Sequence, residues 1–271
     1  MTGYTSEVTG DQSSEFVITN THVPATTEIT VTKVWQDSSN ATGKRPDAIK
    51  LVLTGKVGDT TVVTRTQSVS DADADTWTYT FTDLPQYYRG GNAIVYTVDE
   101  TTADASAAST IPGYTKSISG MRITNTLTTH SLTVRKTVTG NLGDKNKEFT
   151  FSAVVYGAND AEIATGSFTL KHGQERLITN IPYGAKVVIT EASAPGYKTT
   201  TTVGQATQET NTCTFDEILD DTNSVSFTND NTATIDTGVT LDFLPYVLLI
   251  LGVGVVVALW LVMSAKKRKD D

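Results

Sequence analysis

The same series of short motifs occurs twice along this chain, in the same order. The first series, in residues 27–128, is "EITVTKVW", "YTVDE", "IPGYT" and "RITNT". The second series, in residues 130–231, is "SLTVRKTV", "VVITE", "APGYK" and "VSFTND". A repeated order of motifs indicates a repeated structural unit. Because each unit has about 100 residues, a usual size for a β-sandwich, the repeat predicts two successive domains of one fold.

The pattern inside each unit is typical of β-structure. Apolar and polar residues alternate in short runs, and Gly, Asp, Asn and Pro separate the runs. A period of two indicates half-buried strands, and the abundant Thr and Val residues favour strands as well. We therefore predict an all-β fold of tandem sandwiches.

Residues 1–22 repeat only the last two motifs, as "GYT" and "ITNT". We interpret them as the C-terminal part of a preceding unit of the same kind. The first ten residues, "MTGYTSEVTG", are polar and lack the apolar segment of a secretion signal. Both observations lead us to expect that the chain begins partway through a larger protein.

Residues 243–263 form an apolar stretch, "FLPYVLLILGVGVVVALWLVM", that is long enough to span a bilayer as one transmembrane helix. The basic tail, residues 264–271, follows directly and predicts a cytoplasmic C-terminus. The preceding domains are then expected outside the cell. A tail-anchored protein that faces the cytosol is the alternative.

Charge and cysteine content narrow the possible classes of protein. The formal net charge is −9, and the one dense basic run lies beside the apolar stretch, which argues against a nucleic-acid partner. A single cysteine, Cys213, excludes an intrachain disulfide. A small extracellular domain without disulfides needs another covalent or noncovalent source of stability.

Six polar residues occupy apolar faces of the predicted strands. Side chains two residues apart in a strand share a face, and Lys33, for example, has the same parity as Val31 and Trp35. Taken singly, such residues usually reach water at a strand end or cap a turn. Their recurrence in both units argues for a shared purpose. The six residues are Lys33, Glu100 and Asn125 in the first unit and Lys136, Glu191 and Asn229 in the second.

Buried lysine, glutamate and asparagine side chains suggest one reaction. Burial disfavours charge, so a buried lysine tends to become a neutral amine and a buried glutamate tends to keep its proton. A neutral amine is a nucleophile, and a protonated glutamate can polarise the asparagine carbonyl and transfer protons. Attack on that carbonyl, with loss of ammonia, would give a Lys–Asn isopeptide bond. Proximity in a dry core would make this slow reaction feasible.

The motifs of the first unit, with "VTKVWQD", "GKRPD" and "WTYTFTDLP" added, resemble the B-type repeats of the collagen-adhesin (Cna B-type) family of Gram-positive surface proteins and pilins. The resemblance implies immunoglobulin-like β-sandwiches whose first and last strands are joined by an autocatalytic isopeptide bond. It makes Lys33 the nucleophile, Asn125 the acceptor and Glu100 the catalyst. Asn20 matches the acceptor of the preceding unit, with its lysine outside this chain.

The second unit, with "LTVRKTVTGNLGDKNKEFTF" and "FTLKHGQ", is similar to the C-terminal domain of streptococcal-type major pilins and related wall proteins. By these motifs the same roles pass to Lys136, Asn229 and Glu191.

The resemblance also implies a function for the linker, residues 232–242. Sortase substrates of this family carry an LPxTG-like motif before the apolar span and basic end. Ile235, Asp236, Thr237 and Gly238 fit this layout, with cleavage expected between Thr237 and Gly238. Asp236 stands where the family has a proline, and it would not enforce the same kinked backbone. A chain that sortase does not cleave would remain a single-span membrane protein.

Three functions are compatible with these observations. The first is a structural stalk of an adhesin or minor pilin, with sortase, peptidoglycan or pilin subunits as partners, at the cell surface. The second is a ligand-binding module that contacts a host matrix protein or a glycan, and the third is a spacer for a secreted enzyme. No cofactor or metal is expected, and no enzymatic activity beyond the self-catalysed bond.

Overall fold

The computed structural model describes residues 4–71, 74–104 and 110–233. These residues contain twenty β-strands and two short 3-10 turns, but no α-helix. No helix among them is long and apolar enough to cross a membrane. The expected sortase motif, Ile235 to Gly238, and the expected membrane span, residues 243–263, lie outside the described residues.

An N-terminal hairpin precedes the two domains. Its strands, β1 (Tyr4–Thr9) and β2 (Val17–His22), pair only with each other in antiparallel register. Both strands are exposed along their whole length, and Phe16 and Ile18 are each about two-thirds exposed. The rest of the described chain therefore does not cover the apolar side chains of this hairpin.

The first domain is a sandwich of two sheets. One sheet has the order β10-β11-β3-β6 and the other β5-β4-β9, and β7 and β8 form a small separate ladder. Trp35 and Ile123 from one sheet meet Leu51 and Val98 from the other in the core. The strands are β3 (Thr26–Gln36), β4 (Ile49–Val57), β5 (Thr60–Val69), β6 (Thr76–Pro85), β7 (Tyr87–Tyr88), β8 (Asn92–Ala93), β9 (Val95–Thr102), β10 (Tyr114–Ser119) and β11 (Arg122–Leu127).

The second domain is also a sandwich, with larger sheets of order β15-β12-β20-β17-β18 and β14-β13-β16-β19. Leu132 and Phe227 from the first sheet pack against Phe151 and Ile189 from the second. The strands are β12 (Thr129–Thr139), β13 (Phe149–Tyr156), β14 (Glu162–Leu170), β15 (Glu175–Pro182), β16 (Lys186–Glu191), β17 (Lys198–Val203), β18 (Ala206–Gln208), β19 (Thr212–Phe215) and β20 (Asn223–Asp230).

In both domains the first strand pairs in parallel with the last. Strand β3 pairs with β11, with Lys33 opposite Ile123. Strand β12 pairs with β20, with Lys136 opposite Phe227. In each case the lysine faces the residue that lies two positions before the asparagine. Since residues two apart share a face, this register brings lysine and asparagine to the same face of the sheet.

One residue, Thr128, separates the last strand of the first domain from the first strand of the second. Its backbone N–H and its hydroxyl both donate to the Gly113 carbonyl, at 2.8 and 3.0 Å. Its own carbonyl accepts from the Tyr183 N–H at 2.9 Å. The connection is therefore bonded to both domains.

Glycines of one domain meet side chains or backbone of the other at this junction. A Cβ on Gly113 would overlap the ring of Tyr183, and a Cβ on Gly184 would overlap the side chain of Lys44. The junction also includes a hydrogen bond from the Ala158 N–H to the Ala41 carbonyl at 2.9 Å. The domains thus touch at positions where only glycine leaves enough room.

Candidate functional site

The six polar residues singled out above are all buried, and each is at most 1 % exposed. Lys33 and Lys136 are the two largest of the fully buried side chains. Isolated buried charges cost several kcal/mol, so side chains of this kind are normally found with partners. The structure places them in two groups of three, one in each sandwich.

Each group spans both sheets of its sandwich. Lysine and asparagine come from the neighbouring first and last strands of one sheet, and glutamate comes from the facing sheet, on β9 or β16. The alternation of inward and outward side chains turns all three toward the core. We call Lys33, Glu100 and Asn125 the first triad and Lys136, Glu191 and Asn229 the second triad.

The second triad forms a closed set of hydrogen bonds. Lys136 Nζ donates to Glu191 Oε2 at 2.9 Å and to Asn229 Oδ1 at 2.5 Å. Asn229 Nδ2 donates to Glu191 Oε1. The glutamate thus contacts the amide nitrogen, whereas the carbonyl oxygen that we expected it to polarise accepts from the lysine. The amine and the amide are in direct contact.

The first triad is more open. Lys33 Nζ lies 3.3 Å from Glu100 Oε2 and 3.4 Å from the Val34 carbonyl oxygen. Neither side-chain polar atom of Asn125 has a hydrogen-bond partner within the described residues. An unpaired buried amide is unusual and unfavourable. The unreacted form of this triad therefore carries an unsatisfied amide on the face of the sheet that Asn125 shares with Lys33.

The surroundings favour the neutral amine of both lysines. Burial lowers the pKa of Lys33 to about 8, with a smaller lowering from the positive charge of Lys116, while Glu100 and Asp37 act in the opposite direction. Burial also lowers the pKa of Lys136, against the effect of Glu191. With a pKa near 8, about a tenth of Lys33 would be unprotonated at pH 7. A nucleophilic amine is thus available near neutral pH.

An aromatic ring covers each lysine. Lys33 Nζ lies 4.1 Å from the centre of the Trp35 ring, and Lys136 Nζ lies 4.2 Å from the centre of the Phe149 ring. Trp35 is held in turn by edge contacts with Trp77 and Tyr114. The rings restrict access of water to the amines.

A buried polar network that the sequence did not predict lies beside the first triad. Arg45 donates to both carboxylate oxygens of Asp37, at 3.0 and 2.6 Å, and to the Ala74 carbonyl at 3.0 Å. The Tyr114 hydroxyl donates to Asp37 at 2.8 Å. This network fixes the loop after β3. The available signals were the arginine of "GKRPD" and the tyrosine of "IPGYT", but neither motif indicates burial by itself.

Asn20, the expected acceptor of the preceding unit, lies on the exposed strand β2. Its Oδ1 accepts from the Ser6 hydroxyl at 2.5 Å. Asn20 lies opposite Ser6 in this hairpin, as Asn125 lies opposite Lys116 in the hairpin of β10 and β11.

Among the described residues, no cluster of His, Cys, Asp or Glu is arranged to hold a metal ion, and Cys213 is buried.

Each of the two sandwiches matches the model of a known protein family. The family model of the Cna protein B-type domain matches residues 29–126. Residues 130–231 match a different family model, described as a domain of unknown function (DUF7601). The two sandwiches of the chain thus match two different family models.

The relatives that this chain matches include an adhesin and a pilin. The chain is 34% identical to a collagen adhesin of Staphylococcus aureus over 148 residues, which cover 54% of this chain and 11% of the relative. It is 30% identical to a pilin of Streptococcus pyogenes serotype M1 over 162 residues, 48% of each chain. This chain thus spans about half or less of the curated relatives it matches. The crystal structure of the major pilin from Streptococcus pyogenes is 19% identical, with a TM-score of 0.44, over 76% of this chain and 99% of that one.

Proposed function

We propose that residues 27–231 are a stalk segment of a Gram-positive adhesin or pilin, stiffened by two intramolecular isopeptide bonds, Lys33–Asn125 and Lys136–Asn229. The observation that carries the proposal is the direct contact of Lys136 Nζ with Asn229 Oδ1 and Glu191 Oε2 in the buried core. The collagen adhesin and pilin relatives support the cell surface as the location.

The contacts of the second triad suggest how the bond would form. Glu191 Oε2 takes a proton from Lys136 Nζ, and the neutral amine attacks Asn229 Cγ. The Nζ–Cγ bond forms and the Cγ–Nδ2 bond breaks. Glu191 Oε1, which accepts from Nδ2, delivers that proton to the nitrogen, which leaves as ammonia. Glu191 then takes the second proton that Nζ must lose to become an amide N–H, and ends protonated. Glu100 would serve Lys33 and Asn125 in the same way.

The crosslinks would stabilise the sandwiches by constraining the unfolded chain. Lys136 and Asn229 are 93 residues apart, and closing a loop of that length is worth about 4 to 5 kcal/mol by the chain-entropy estimate used for disulfides. The bond would also join the first strand directly to the last, so tension would pass through it and bypass the rest of the domain. Such a device suits a surface protein without disulfides.

Three further parts of the proposal concern attachment. Sortase would cleave between Thr237 and Gly238 and join the chain to peptidoglycan or a pilin subunit. Residues 243–263 would hold the chain in the membrane before that step, or permanently if cleavage does not occur. Asn20 would accept a lysine from the first strand of a preceding domain.

A second candidate function is binding of a host matrix protein or glycan. A groove of about 750 Å³ lies between β14 and β15 and reaches the end of the first domain. Apolar residues such as Phe168, Leu177 and Ile178 contribute to its walls, together with the polar loop at Ser38. Apolar grooves with a few polar groups are typical of binding sites.

The intact mass of the chain tests the stalk proposal. We expect a deficit of two ammonia masses in the wild type and of one in each of Glu100→Ala and Glu191→Ala. Glu175→Ala, at an exposed glutamate, is the control and should keep both bonds. A wild-type chain without any deficit would remove the basis for the stalk and leave the binding function as the stronger candidate.

A further inference from the structure

Among the described residues, the first triad lies beside an open side of its sandwich, where an edge strand of one sheet faces an edge strand of the other. Strand β9, which carries Glu100, is at the edge of its sheet, and β10 is at the edge of the facing sheet. Two sandwiched sheets leave such a side accessible unless side chains or further strands cover it.

Lys116 on β10 bridges this side. It is paired with Asn125 in the antiparallel ladder of β10 and β11, so the two side chains share a face. Its Nζ reaches across to Asp99 Oδ1 on β9 at 2.5 Å. Asp99 is the immediate neighbour of Glu100. The ion pair therefore joins the two edge strands next to two members of the triad.

The second sandwich covers the corresponding side differently. The residue opposite Asn229 is Thr199, which has no charge. Strand β16, which carries Glu191, is not at an edge there, because β19 pairs with its outer side. A strand thus covers the second triad where a lysine and an aspartate cover the first.

We propose that Lys116 is a positioning residue for crosslinking of Lys33 to Asn125: with Asp99 it closes the open side over the triad, and it keeps a second positive charge near the Lys33 amine. This inference rests on the crosslinking function proposed above.

The charges around Lys33 give the direction of the effect. Those that act on it are Glu100 on β9, Lys116 on β10 and Asp37 after β3. Its direct neighbours on β6 and β11, Trp77 and Ile123, are uncharged. Lys116 lowers the pKa of Lys33, and without it a smaller share of the amine would be neutral at a given pH. Loss of Lys116 would therefore shift the reaction to higher pH.

An ordinary ion pair at the surface would behave differently. Such pairs contribute about 0 to 1 kcal/mol to stability. Loss of a pair that only stabilises the fold would lower the yield of the crosslink but would not move the pKa of Lys33. The pH profile of the reaction therefore separates a positioning role from general stabilisation.

The experiment compares the full wild-type chain with Lys116→Gln, Lys116→Arg and Asp99→Asn. Each chain is made by cell-free synthesis, transferred at once to buffers from about pH 5.5 to about pH 9.5, a range that brackets the Lys33 pKa, and sampled over time. Peptide mass spectrometry follows the two crosslinks separately. The Lys136–Asn229 bond of the same molecule serves as the internal control for synthesis and for folding of the second sandwich.

We expect Lys116→Gln to slow formation of the Lys33–Asn125 bond about three- to tenfold at pH 7 and to shift its profile to higher pH. Lys116→Arg should keep the wild-type profile. Asp99→Asn, which retains the lysine charge but breaks the pair, should slow the reaction without a shift to higher pH. The second crosslink should be unchanged throughout.

Two results would overturn the inference in distinguishable ways. If Lys116→Gln follows the wild-type profile while the bond still forms, Lys116 has no positioning role and the proposed crosslinking stands. If the wild-type chain leaves Lys33 unreacted at every pH, both the function proposed for this triad and the role of Lys116 are wrong. Should Lys116→Gln not fold, Asp99→Asn alone decides, and an unchanged rate would contradict the inference.

Discussion

Asn125 and Asn229 hold equivalent positions in their sandwiches, yet their surroundings differ. Both polar side-chain atoms of Asn229 form hydrogen bonds, one with Lys136 and one with Glu191. Neither polar side-chain atom of Asn125 has a hydrogen-bond partner within the described residues. A buried amide without partners costs about 1 to 3 kcal/mol. Formation of the crosslink would remove this unsatisfied amide. The crosslink would therefore relieve a larger hydrogen-bonding cost in the first sandwich than in the second.

The depressed pKa of Lys33 predicts a stability that depends on pH when no crosslink can form. In Asn125→Ala the lysine remains free. Its pKa is about 8 in the folded chain and about 10.5 in the unfolded chain, so between these values the unfolded state binds more protons. Stability of the first sandwich should therefore rise with pH from about 8 to about 10, by about 2 to 3 kcal/mol.

Urea unfolding followed by tryptophan fluorescence measures this effect, because Trp35 and Trp77 both lie in the core of the first sandwich. The wild type is the control, since in the proposed crosslink Lys33 would be an amide and would not titrate. A stability of Asn125→Ala that stays constant or falls over this pH range would contradict the assigned lysine pKa.

Strand parity, together with recurrence in both units, was enough to select the six polar residues of the two triads. The repeat then suggested which of them belong together. The Arg45–Asp37 pair and the Lys116–Asp99 pair could not be predicted in this way, because each joins segments whose separation depends on how the chain is folded. Arginine, lysine and aspartate in polar motifs have the same local pattern whether they are solvated or paired.

At the scale of elements, the parallel register of the first and last strands controls which side chains meet. A shift by one residue moves a side chain to the opposite face of a sheet. The double variant Thr228→Asn/Asn229→Thr keeps the composition but turns the amide away from Lys136. We expect the Lys136–Asn229 bond to be lost and the Lys33–Asn125 bond to form as before.

Peptide mass spectrometry of the double variant, with each crosslink assigned separately, measures the outcome. The exchange Ser226→Thr/Thr228→Ser, on the outer face of the same strand, is the matched control and should keep both bonds. A crosslink from Lys136 to residue 228 would contradict the alternation of faces on which the assignment of the triads depends.

The all-β architecture could be predicted from the sequence because the long strands alternate clearly. Strand β3, for example, carries the predicted run from Glu28 to Trp35. Short elements such as β7 and β18 have two or three residues, too few to show a period, and their pairing depends on the hairpins that contain them. The sequence also offered no sign that β19 would cover the second triad.

At the scale of the whole chain, the junction between the sandwiches depends on glycines that have no room for a side chain. Gly113 and Gly120 both have a positive φ, 78° and 57°, and both lie in the first domain. A Cβ on Gly113 would meet the Tyr183 ring, whereas a Cβ on Gly120 would meet nothing within 4 Å. Gly113→Ala and Gly120→Ala therefore impose similar backbone strain but differ at the junction.

We expect Gly113→Ala to loosen the junction and Gly120→Ala to leave it intact. Pulsed electron spin resonance between one spin label on each sandwich should give a broader distance distribution for Gly113→Ala than for wild type. Gly120→Ala should match wild type. Equal distributions for all three chains would mean that the Gly113–Tyr183 contact does not hold the domains together.

The short connection at Thr128 has a topological consequence. With both proposed bonds in place, each sandwich becomes a covalent ring, closed at Lys33 and Asn125 or at Lys136 and Asn229. Hydrolysis of any one peptide bond inside a ring would open it without dividing the molecule. A single cut could part the two sandwiches only between Asn125 and Lys136, and there the backbone lies in β11 and β12 or is hydrogen-bonded through Thr128. The two sandwiches would thus remain covalently connected after most single proteolytic cuts.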